Sequence, residues 1–110
     1  MSDVVLVLST APAAPGDDTA EQIARTLVDE RLAACVNVHA PMASIYRWKG
    51  AVERDNERQL VIKTTRAVLP ALEKRLRELH PYELPEFIVL AAAGGSQAYL
   101  GWVAQEVPEV

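Results

Sequence analysis

The residues best suited to chemistry gather in LHPYELPEFIV, residues 79–89. His80 is one of two histidines, the other being His39, and an imidazole can serve as acid, base or metal ligand near neutral pH. Tyr82 stands between Pro81 and Pro85, in a corner stiffened by both rings, which makes it the natural companion of His80 in a pocket. Glu83 and Glu86 supply carboxylates for proton exchange, although glutamates flanked by prolines are ordinarily solvated. A bland alternative exists as well: a histidine closing a leucine-rich helix can simply bond the last carbonyls and favour the helix dipole.

Other candidates are scattered. Lys63 ends an apolar run, where it either reaches toward an anion or marks a solvated strand end. Cys35 is a lone cysteine between a helix and a strand, suited to packing more than to reactivity. Tyr46 and Trp48 fall near a hairpin tip and suit a subunit contact better than a ligand platform, while Trp102 on the last helix covers core, its own or a neighbour's. The chain has no GxSxG elbow, phosphate loop, HExxH or paired cysteines, so catalysis is not expected.

Bulk properties narrow the classes further. A chain of 110 residues has room for one core, so a single domain over 1–110 is expected. Eleven basic against fifteen acidic residues give a net charge of −4, which disfavours nucleic acid. No apolar run approaches the roughly 18–20 residues needed to cross a bilayer. Asp3 precedes the first apolar run where an export signal would be basic, and a single cysteine suits a reducing compartment; the cytoplasm is the expected location.

The elements that must position these residues follow from periodicity. Residues 4–8 are a short apolar run, a strand buried on both faces. Asp18 stands three before Glu21, as in a capping box, and Ala20, Ile23, Ala24, Leu27, Val28 and Leu32 recur at helical spacing over roughly 18–33. CVNV resumes extended structure and continues, with a bulge or bend at Pro41, through SIYRW to a tight turn at Lys49-Gly50. AVERDNERQLVIKTT begins charged and ends apolar; it reads as a strand, though its charged half suits a helix too. Thr64 and Thr65 can cap a helix carrying Val68, Leu69, Leu72, Leu76 and Leu79, with Pro70 in its first turn. FIVLAAA then enters the core as a strand, GGS breaks it, and QAYLGWVAQEV forms a last helix.

Strand, helix, strand, strand, helix, strand and an added helix make an α+β, ferredoxin-like split-βαβ sandwich with a long hairpin and helices on one sheet face. As one strand, residues 34–48 would reach about 50 Å at ~3.3 Å per residue, against a radius of gyration of roughly 13 Å for a globule of this size. A ribbon projecting Met42, Ile45, Tyr46 and Trp48 exposes apolar surface and unpaired backbone that other subunits can cover, so an oligomer is expected.

LAACVNV, SIYRWKG, the charged stretch leading to LVIKTT, LHPYELPEFI and the closing YLGWV resemble, in order and over nearly the whole chain, the divalent-cation tolerance proteins of the CutA family. The resemblance implies a ferredoxin-like subunit assembled as a homotrimer by strand pairing, linked to copper tolerance and able to bind divalent copper. Copper ligands proposed in that family are a cysteine at the end of the first strand and a histidine pair before Pro-Tyr. Here Ser9 and Leu79-His80 occupy those places, so His80 alone is left as metal ligand, with weak Cu²⁺ binding as the expectation. The family also looks architecturally like the trimeric PII signalling proteins. By that analogy the alternative is a regulatory module holding a small anionic ligand in an inter-subunit cleft lined by Lys63, His80 and Tyr82 with the aromatic Trp48 and Trp102.

Overall fold

The computed structural model describes residues 3–108, an α+β fold with one antiparallel sheet and three helices. In chain order the elements are β1 (Val4–Pro12), α1 (Thr19–Asp29), β2 (Cys35–Val38), β3 (Met42–Trp48), β4 (Ala51–Thr65), α2 (Leu69–Leu79), β5 (Ile88–Ala91) and α3 (Gln97–Glu106). The sheet runs β2-β4-β1-β5, and β3 pairs with the first half of β4. No helix among the described residues is long and apolar enough to cross a membrane.

The register shows how the ribbon bends. Val38 pairs with Leu60 and Met42 with Glu57, so residues 39–41 on one strand oppose only Arg58 and Gln59 on the other. One extra residue in an antiparallel pair is a bulge, and it falls at Pro41, which has no N–H to give to a ladder. The Arg58 guanidinium donates to the His39 carbonyl at 3.0 Å and holds the bend. Beyond it the hairpin runs on to Lys49 and Gly50, at φ 49° and 83°, the left-handed pair that a two-residue turn requires. The whole charged half of β4 is strand, paired from Ala51 to Glu57, and the projecting ribbon stretches the molecule to 43 × 25 × 24 Å.

Period-two alternation in the strands meets the helical stripes. Val7, Ala11, Leu60 and Ile62 face Ala20, Ile23 and Leu27 of α1 and Leu72 and Leu76 of α2 in one core. Leu72 and Leu76 are wholly buried, and cutting either to alanine costs about 2–5 kcal/mol through lost burial and a residual cavity. The opposite face is covered at one end, where Val103 and Val107 pack against Val4, Ala34 and Val68.

Three expectations need correction. Asp18 makes no capping bond: its carboxylate accepts from the Gln22 side chain, and the Asp17 carboxylate takes the Thr19 N–H at 2.9 Å. Thr64 and Thr65 do not cap α2, because Thr64 is still in β4 and spends its hydroxyl on the Leu32 carbonyl at 2.7 Å. FIVLAAA does not enter the core: β5 is four residues long, paired on one edge only, with Ile88, Val89 and Leu90 exposed.

Candidate functional site

α2 stops at Leu79, and His80 turns extended at φ −87°, ψ 136°, as a residue before proline must. Its ring is buried, 7% exposed. Nε2 lies 2.6 Å from the Thr10 carbonyl oxygen, and Nδ1 accepts the Tyr82 N–H at 3.1 Å. A carbonyl can only accept, so Nε2 carries the proton and Nδ1 is the acceptor. Both nitrogens are therefore occupied. Instead of bonding the last carbonyls of α2, the imidazole reaches across to β1.

The Tyr82 ring lies 4.6 Å from that of His80, centre to centre, and its hydroxyl donates to Glu57 Oε2 at 2.8 Å. Burial, and then the Glu57 carboxylate, push the Tyr82 hydroxyl above the ordinary tyrosine range. Glu57 itself is 7% exposed.

Tyr82 and Glu57 line an open groove of about 910 Å³ between the hairpin and the segment before β5. Tyr46 and Trp48 of β3 form one flank; Glu83 and Glu86 lie on the other. Gln59 braces the floor, donating to the Ser9 carbonyl at 2.6 Å and to Glu86 at 3.1 Å. Lys49 straps the two flanks, its ammonium 3.7 Å from Glu83 and 5.5 Å from the Trp48 ring centre.

Lys63 and Trp102 lie in a separate cluster, around Tyr99. The Lys63 ammonium is 3.4 Å from the Tyr99 hydroxyl, and the Tyr99 and Trp102 rings are 5.5 Å apart. One subunit thus brings Trp48 to Tyr82, with His80 beside it, but does not join Lys63 and Trp102 to them. Cys35 pairs in register with Lys63 and is half-buried.

His80 has no free nitrogen, and no group of three or more His, Cys, Asp or Glu is arranged to hold a metal among the described residues. Ser9 is fully buried, and its hydroxyl has no hydrogen-bond partner among the described residues. Sequence reasoning missed Glu57 and Tyr99. Glu57 was hidden in ERDNER, where burial of one acid among solvated charges leaves no local signal.

Residues 5–106 match the family described as CutA1 divalent ion tolerance protein. The divalent-cation tolerance protein CutA of Thermus thermophilus is 44% identical over 105 residues, which is 96% of this chain and 97% of that protein. Mouse protein CutA is 45% identical over 87% of this chain, which spans about half, 54%, of the mouse protein. A crystal structure of CutA from Xylella fastidiosa superposes with a TM-score of 0.90 at 46% identity, covering 97% of this chain and 100% of that one. With sequence and fold agreeing over almost its entire length, the chain belongs to the CutA1 divalent ion tolerance family.

Proposed function

We propose that this protein is a cytoplasmic homotrimer of ferredoxin-like subunits that serves divalent-cation tolerance through binding and assembly rather than catalysis. The family match supports the tolerance role. The observation that carries the assembly is β5, an edge strand with one free side whose Ile88, Val89 and Leu90 are 49%, 38% and 44% exposed. An apolar edge of this kind invites strand pairing with another chain. Light scattering on the purified protein tests it: three times the 12.0 kDa chain mass is expected, reduced in Leu90→Lys, and a folded single subunit at micromolar concentration would sink the reading.

Copper binding at His80 is the second part of the proposal. Any Cu²⁺ taken up at His80 must displace the Tyr82 N–H from Nδ1. Calorimetric titration decides this: a saturable site lost in His80→Ala supports the ligand role, and unchanged uptake in the variant removes it.

A PII-like regulatory reading has one observation in its favour, the Lys63 ammonium set over the Tyr99 ring, which in turn packs beside Trp102, a surface suited to an anion bearing an aromatic group. A screen of nucleotides and organic acids for a rise in melting temperature tests it, and no shift at millimolar ligand counts against it.

A further inference from the structure

Alternation along the projecting hairpin gives its two faces opposite charge. Tyr46 and Trp48 share one face with Glu53, Asp55 and Glu57, whereas Ile45 with Arg54 and Arg47 with Val52 are opposed pairs on the other. That second face is exposed: Ile45 is 71% and Val52 65% accessible, and neither Arg47 nor Arg54 enters an ion pair among the described residues. Arginines set among exposed aliphatic side chains are the composition of a surface that another protein covers.

The groove of the same subunit is the complement. Its charged lining residues are Glu57, Glu83 and Glu86, with Leu84 and Ile88 exposed beside them. Lys49 pairs with Glu83 at 3.7 Å, while Glu57 and Glu86 have only neutral donors, the Tyr82 hydroxyl and the Gln59 amide. One ammonium thus stands against three carboxylates. Ile88 is also the first residue of β5, so the groove runs into the free strand edge on which the assembly rests. β3 has a free edge as well, since it pairs with β4 alone.

We propose that the hairpin of one copy lies beside β5 in the groove of the next, its Arg47 and Arg54 facing Glu83 and Glu86 and its Ile45 and Val52 on Leu84 and Ile88. The two surfaces differ, so the contact is head-to-tail, and each subunit of a closed ring gives one hairpin and receives one. This rests on the homotrimer reading and adds which surfaces meet and what chemistry selects them.

Subunit exchange between tagged and untagged rings, followed by native mass spectrometry at low salt, reads the contact. The hairpin reversal, Arg47→Glu with Arg54→Glu, is expected to speed exchange about tenfold or more, as is the groove reversal, Glu83→Lys with Glu86→Lys. Combining the two restores opposite charges at every contact and should return the rate to within about threefold of wild type, a recovery that independent structural damage would not give. Rising salt should speed exchange of the wild type and slow that of the hairpin reversal, by screening attraction in one and repulsion in the other. Circular dichroism checks folding, and the salt comparison decides the question where the groove reversal does not fold. Wild-type rings whose exchange neither reversal changes, or a combined variant that exchanges as fast as its parents, overturn this contact and leave the trimer standing. A wild type that is a single subunit at micromolar concentration overturns both.

Discussion

His80 hydrogen-bonds to the Thr10 carbonyl across 70 positions of sequence, just past the last rung between β1 and β5, Leu8 with Ile88. The imidazole takes over where the edge strand ends and ties the 80–86 corner to the sheet. His80→Ala leaves both the Thr10 carbonyl and the Tyr82 N–H without a partner, and is expected to cost about 2–3 kcal/mol. Urea unfolding at fixed protein concentration measures this; a loss below ~0.5 kcal/mol would show that water replaces the ring at no cost.

Ser9 offers the opposite sign. Its hydroxyl is buried beneath the helices with no partner among the described residues, so Ser9→Ala removes a desolvated polar atom at the cost of little packing. A gain of about 0.5–1 kcal/mol is expected. A clear drop in melting temperature would reveal a bond to the hydroxyl that the fold does not display.

Two tyrosines make the alkaline limb of stability specific. The hydrogen bond to Asp55 pushes the Tyr46 hydroxyl up from 10.0 to about 12, and burial pushes Tyr82 up as well. Both protons are held more tightly folded than unfolded, so their contribution is complete below pH 10.0, the unfolded value, and is lost as pH climbs through the folded values. Melting temperature should fall from pH 10.0 towards about 12, less steeply in Tyr82→Phe. Tyrosinate absorbance that is complete near pH 10.0 would contradict this.

The hairpin tip is a backbone test. Gly50 sits at φ 83° with open space around it, so the cost of Gly50→Ala comes from conformation and not from a clash. About 1–2 kcal/mol is expected, visible as a lower urea midpoint with unchanged slope.

Much of this architecture is legible where local physics decides it. The Lys49-Gly50 turn, the Pro41 bulge and the leucine stripe of α2 follow from residues that are neighbours in sequence or one helical turn apart. The role of His80 was not, because its partner Thr10 is remote and helix-end chemistry gave an equally good local account. β5 misled for a related reason: IVLA reads as core, and only the sheet order shows it on an edge. In the site, the prolines pointed to Tyr82 as the companion of His80, but Glu57 needed the register that turns it inward from a charged run.

β4 alone hydrogen-bonds to three other strands, β1, β2 and β3, and over residues 60–63 it is flanked on both edges. Amide protons there should be the last to exchange with deuterium, since exposing them demands global opening, whereas the tip beyond Glu57 can fray alone. The same placement makes β4 intolerant of insertions. One added residue between Glu57 and Leu60 would turn Leu60 and Ile62 inside out against the helices while leaving the hairpin's own pairing intact.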